Sequence, residues 1–108
     1  MTGIDVAMSI GMPIIINNPS YTILKFVSAS TDPELLTLLS DSRNHKKILA
    51  RVARNQNTPI EVIKKIATNP DYNIRASNYA IQSLNIYCSQ HPDDKMCADV
   101  GNAQGYRN

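Results

Sequence analysis

Apolar residues in the middle of the chain recur at helical spacing. Ile48, Leu49, Val52 and Ala53 share one face of a helix beginning near Lys46, and Val62, Ile63, Ile66 and Ala67 share a face of the next. Proline, not glycine, punctuates these faces: Gly3, Gly11, Gly101 and Gly105 all lie in the terminal stretches. Pro19, Pro33, Pro59, Pro70 and Pro92 each follow Asn, Asp, Thr or His. Asn18, Asp32, Thr58 and Asn69 are good N-cap residues, and a proline directly behind them suits the first helical position, where its missing N–H costs nothing. Glu61, three residues after Thr58, completes a capping box. The pattern predicts an all-α chain of short helices with sharp starts.

Those starts are regularly spaced. Pro33 and Pro59 are 26 residues apart, and Asn18-Pro19 and Asn69-Pro70 are 51 apart, two periods of about the same length. Ile23, Ile48 and Ile74 keep step at 25 and 26. A period in this range marks a helical solenoid, whose units bury their apolar faces only by stacking on neighbours. A plain bundle with proline-started helices would carry the same punctuation.

The stretch from Ile48 to Pro70 resembles the variant leucine-rich repeat family. Ile48-Leu49-Ala50-Arg51-Val52-Ala53-Arg54-Asn55-Gln56-Asn57-Thr58-Pro59 and Ile60-Glu61-Val62-Ile63-Lys64-Lys65-Ile66-Ala67-Thr68-Asn69-Pro70 follow its V-R-x-x-V-A-x-N-P-x-T-P-x-E-V-L-x-x-L-A-x-D/N-P pattern, with Leu49 in place of the usual Arg and Gln56 in place of the usual Pro. Asp71 to Ala76 opens a further unit, and Ile23 to Ser42 keeps the apolar register with Asp32-Pro33. The resemblance implies a right-handed stack of short helices of the HEAT and armadillo kind. Founding members of that family are associated with an iron–sulfur cluster on an N-terminal cysteine-rich segment. No cysteine precedes Cys88 here, so no cofactor is carried over.

One domain is expected over residues 1–108: an N-terminal cap at 1–17, about three repeat units at 18–83, a C-terminal cap helix at 84–100 and a flexible tail at 101–108. Folding a chain of this mass buries close to two-thirds of its surface, enough for a core without metals or disulfides. The 43% apolar content excludes a disordered chain, and the 19% charged content excludes a polyelectrolyte. Scarce aromatics, with no Trp, argue against an aromatic cage or a base-stacking platform. The uncharged run from Val6 to Leu24 is broken by Pro13, Asn17, Asn18 and Pro19, which a membrane-spanning helix would not carry. Asp5, with no Lys or Arg before it, is not the start of an export signal. A cytoplasmic protein is expected, and Cys88 and Cys97 are then read as two reduced thiols in preference to a bridge, the alternative being a Cys88–Cys97 disulfide that pins the final helix to the one before it in an oxidising compartment.

No phosphate-binding glycine loop, nucleophile elbow or metalloprotease helix occurs, and a catalytic role is not expected. Cys88, His91 and Cys97 lack the paired spacing of a zinc site. Asp93 and Asp94 read as the first turn of a helix behind Pro92.

Charge changes the picture most. The chain carries +2 overall, but Arg43 to Arg75 holds eight of the eleven basic residues against Glu61 and Asp71, so this segment carries +6 and the remainder −4. Lys47, Arg51 and Arg54 stand at i, i+4 and i+7, one stripe beside the apolar face. Lys64 and Lys65 take the polar side of the following helix. With Tyr72, Tyr79 and Arg75 they make an expected basic ridge for an acidic partner protein, in a non-catalytic adaptor, scaffold or inhibitor. The alternative is non-sequence-specific binding to a nucleic-acid backbone through the same ridge.

Overall fold

The computed structural model describes residues 12–99, and every regular element among them is helical. Five α-helices, α1 (Tyr21–Ala29), α2 (Pro33–Leu39), α3 (Lys46–Arg54), α4 (Ile60–Thr68) and α5 (Ile74–Gln90), precede a 3₁₀ helix at Lys95–Asp99. Helix α3 packs between α1 and α5, α2 packs on α3, and α4 packs on α5. Leu24 and Val27 of α1, Leu36 and Leu39 of α2, and Ile48, Leu49, Val52 and Ala53 of α3 form one core with Val62, Ile63 and Ile66 of α4 and Ala76, Ala80 and Leu84 of α5. The expected apolar faces of α3 and α4 are therefore the buried ones, except that Ala67 is half-buried.

The helix starts differ from expectation. Asp32-Pro33 behaves as predicted, with the Asp32 carboxylate accepting the Glu34 N–H at 3.0 Å and the Leu35 N–H at 3.4 Å. Elsewhere the proline stands before the helix. Ser20 caps α1 and Asn73 caps α5. Pro59 is itself the N-cap of α4 and offers no side-chain bond. The Thr58–Glu61 capping box does not form, because Thr58 is buried and its hydroxyl turns back to donate to the Val52 carbonyl at 2.7 Å. Asp93 lies in the turn after α5 and not in a helix, while Asp94 accepts the Met96 N–H of the 3₁₀ helix at 2.9 Å.

Three linkers share one form. They begin at Asp41, Asn55 and Asn69, fourteen residues apart. In each, the first side chain accepts the N–H two residues on, at 2.9, 2.8 and 2.9 Å. In each, the fourth N–H also returns to the first carbonyl, at 3.0, 3.1 and 3.2 Å. This is an Asx turn, which needs a short side chain ending in an acceptor at its first position. The fourth residue (Asn44, Thr58 or Tyr72) is buried every time and bonds a backbone carbonyl through its side chain.

The register inferred from isoleucines slips in the second unit. The third position of α1, α3 and α5 is occupied by Ile23, Ile48 and Ala76, with spacings of 25 and 28. Ile74, placed in step by sequence, is 75% exposed. The first interval is shorter because α2 has seven residues and follows α1 after three, whereas α4 has nine and follows α3 after five.

At the N-terminal side, residues 12–16 lie outside any helix and are tied down by Asn44. Its amide donates to the Ile14 carbonyl and its oxygen accepts the Ile16 N–H, at 2.7 and 2.6 Å. The first eleven residues of the expected cap and the whole expected tail lie outside the described residues. Helix α5 runs unbroken from Ile74 to Gln90 across position 84, so the anticipated C-terminal cap helix is not a separate element.

The expectation of two free thiols is corrected: Cys88 and Cys97 form a disulfide across Cα atoms 5.6 Å apart. The turn at Pro92-Asp93 folds the 3₁₀ helix back onto the core. There Lys64 Nζ donates to the Met96 carbonyl at 3.2 Å, and the Tyr87 hydroxyl donates to the Asp94 carboxylate. That bond lowers the Asp94 pKa and raises that of Tyr87.

Two measurements test this frame. Asn55 donates from one buried amide to the carbonyls of Val27, Ser28 and Ser30. Asn55→Ala should cost about 3 kcal/mol in urea denaturation by stranding buried acceptors. Asn57→Ala, which loses one long bond to Ser30, should stay within about 0.5 kcal/mol. Reducing the disulfide, which closes a short loop, should lower stability by about 2 to 3 kcal/mol, and the denatured, unreduced protein should show no reactive thiol.

Candidate functional site

Helix α3 gives the candidate site its shape. Its apolar residues face the core, so Lys47, Arg51 and Arg54 are left along the side, as their spacing predicts. Its N-terminus is fixed by His45, whose Nδ1 accepts the Lys47 N–H at 3.1 Å. Arg51 and Arg54 stand in the last turn, where positive charge suits the negative end of the helix dipole.

Neighbouring helices then fix these side chains. Arg51 is half-buried and donates from Nη1 to the Ser28 hydroxyl of α1 at 3.0 Å. The Arg54 guanidinium lies 4.9 Å from the Tyr79 ring centroid on α5, a cation–π geometry. Arg75 enters from the first turn of α5. Lys46, Lys47, Arg51, Arg54 and Arg75 thus surround one depression of about 280 Å³, with Leu24 and Ala50 beneath it and Tyr21 and Tyr79 at its sides. None of the five cations forms an ion pair with a described acidic residue.

The expected site residues divide accordingly. Lys47, Arg51, Arg54 and Arg75 are brought together. Lys64 and Lys65 are not: both belong to α4, and Lys64 is engaged with the Met96 carbonyl. Tyr72 was expected on the exposed surface, and the structure corrects this. It is 7% exposed, and its hydroxyl donates to the Ser40 carbonyl at the end of α2, at 2.5 Å. Burial raises its pKa, and the nearby Asp41 and Asp71 charges add to the rise. Tyrosine in the fourth position of an Asx linker reads as core, and that position was the available signal.

Lys46 and Tyr21 were missed. Both occupy the first position of their helices, and spacing along one helix does not tie Tyr21 of α1 to Lys46 of α3.

Arg43, counted in the basic segment, is neutralised locally. Its Nε and Nη2 donate to the two Asp41 oxygens at 2.8 and 3.1 Å. Cys88 and Cys97 are bonded to each other, which removes the Cys88/His91/Cys97 group as a ligand set, and His91 instead stacks on Tyr87 with centroids 4.3 Å apart. Among the described residues no cluster of three His, Cys, Asp or Glu side chains could hold a metal, and no helix is long and apolar enough to cross a membrane.

No protein-family model, curated protein or solved structure matches this chain. The class defined by the fold is that of an all-helical protein among the described residues.

The Asp41–Arg43 pair carries a pH signature. The Arg43 side chain, and then its backbone N–H, hold the Asp41 carboxyl down from the ordinary 3.8 to about 2. A depressed folded-state value stabilises the fold above pH 3.8, and that contribution is lost as pH falls towards 2. Titrating the Asp41 carboxyl carbon by NMR should give a midpoint near 2, and Arg43→Ala should return it towards 3.8.

Proposed function

We propose that the chain is a short helical-repeat interaction module, non-catalytic, that binds an acidic protein surface through the face shared by α1, α3 and α5. The repeat reading is supported by three Asx linkers fourteen residues apart and by α3 packed between α1 and α5. It fits a solenoid of about three units with atypical ends, of the kind the variant leucine-rich repeat resemblance implies.

The observation that carries the binding reading is the concave cluster of five cations without described acidic partners, bordered by two tyrosines. Charges that only solubilise a helix spread over its exposed side. Here residues from helices far apart in sequence converge, and Arg51 and Arg54 are held by Ser28 and Tyr79. Pre-ordered arginines beside aromatic rings lose less side-chain freedom on binding, and both residue types are favoured at interface centres.

Fluorescence anisotropy against labelled polyglutamate and labelled double-stranded DNA, at about 50 and about 200 mM salt, tests the reading. Polyglutamate should bind at low salt and weaken at least about tenfold at high salt. The triple variant Lys47→Glu, Arg51→Glu, Arg54→Glu should not bind, while keeping the helical circular-dichroism signal. Binding to DNA alone would replace the protein partner with a nucleic-acid backbone. Flat traces for both ligands would remove the basic face as a site.

A further inference from the structure

The basic depression does not end at Arg54. That residue also walls a second depression of about 310 Å³ with Ser28, Arg51 and Asn55. It walls a third as well, of about 510 Å³, reached past Asn55. The third has a different chemistry. Ile60 of α4 and Ile86 of α5 supply apolar surface above the buried Ile63, and Gln56, Ser83 and Gln90 supply neutral polar groups. Among the described residues Arg54 is the only charged one lining it. Ile86 is 61% exposed there, although a large aliphatic side chain gains from being covered. The three depressions share Arg54 and make one track that is cationic over α3 and the start of α5 and apolar between α4 and the later part of α5, with Arg54 held at the junction by Tyr79.

We infer that this track takes a two-part polypeptide segment, acidic over Lys47, Arg51 and Arg75 and apolar over Ile60 and Ile86. This rests on the acidic-partner reading and sharpens it by naming the partner's form. Charge complementarity selects the acidic half, and the uncovered isoleucine beside neutral amides selects the apolar half. A phosphate backbone satisfies the first half and has nothing to place against the second.

Two fluorescein-labelled peptides of equal length and equal charge distinguish the parts. One carries glutamates followed by leucines, the other the same glutamates followed by serines, and each is made in both sequence directions. Anisotropy is read for the intact chain, for Ile86→Asp, and for the triple charge reversal. The leucine peptide, in one direction, should bind at least about tenfold tighter than its serine counterpart, the scale of one well-buried aliphatic contact. Ile86→Asp should erase that gain, so that the leucine and serine peptides bind this variant with equal affinity. The charge reversal should abolish both. Equal affinities for the two peptides, or a gain that survives Ile86→Asp, would overturn the two-part track while leaving the acidic-partner reading standing. Loss of all binding by the intact chain would sink that reading, and the track with it. Leucine-peptide binding that survives the charge reversal would sever the two halves and also overturn the track.

Discussion

Short helices have a carbonyl problem, and its solution organises this protein. A nine-residue helix leaves its last four carbonyls without intrahelical partners, so nearly half of α1, α3 or α4 ends in unsatisfied acceptors. Buried ends need donors from elsewhere. Asn55, at the end of α3, supplies one amide to three carbonyls at the end of α1. Thr58 serves Val52, Ser83 serves Ala53 and Ser77 serves Ala67, each with its hydroxyl. Tyr72 reaches from the α4–α5 linker to the end of α2. No buried side-chain polar atom among the described residues is left unpaired. Each bond satisfies an acceptor and also sets the position of one helix end against another element, so apolar packing alone does not fix the stacking.

The positions of Arg51 and Arg54 follow from that arrangement. Joining α3 to α1 through Asn55 places Ser28 within reach of Arg51. Joining α5 to α3 through Ser83 sets Tyr79 beneath Arg54. The same contacts that close the helix ends therefore hold the two arginines in extended, ordered positions. The disulfide works at the C-terminal end of α5. It returns the 3₁₀ helix onto α4 and α5, with Lys64 fastened to Met96. This use of Lys64 explains why a basic residue of α4 does not belong with those of α3.

Within the linkers, sequence and geometry correspond closely but not where proline suggested. The Asx residues Asp41, Asn55 and Asn69 set the turns, and proline is tolerated at several places around them because the turn leaves different N–H groups free. Asn69-Pro70 thus looks like a helix start and is in fact the first two residues of a linker. Thr58 looks like a cap for α4 and closes α3. A side chain that can cap in either direction goes to whichever helix end is otherwise buried without a partner.

Sequence by itself determined the all-helical class, the buried faces of α3 and α4, and the stripe of Lys47, Arg51 and Arg54. These depend on periodicity within one helix, which neighbouring residues dictate. Tertiary structure decided the rest. Ile74 fell out of register because the interval from α3 to α5 is longer than that from α1 to α3, Tyr72 went inward because a carbonyl at the end of α2 needed a donor, and Cys88 met Cys97 because the turn at Pro92 doubled the chain back. Arg75, Lys46 and Tyr21 joined the arginines only when α1, α3 and α5 came side by side. Spacing along one helix is a local property, whereas the partner of a helix end or of a surface charge depends on which elements fold against it.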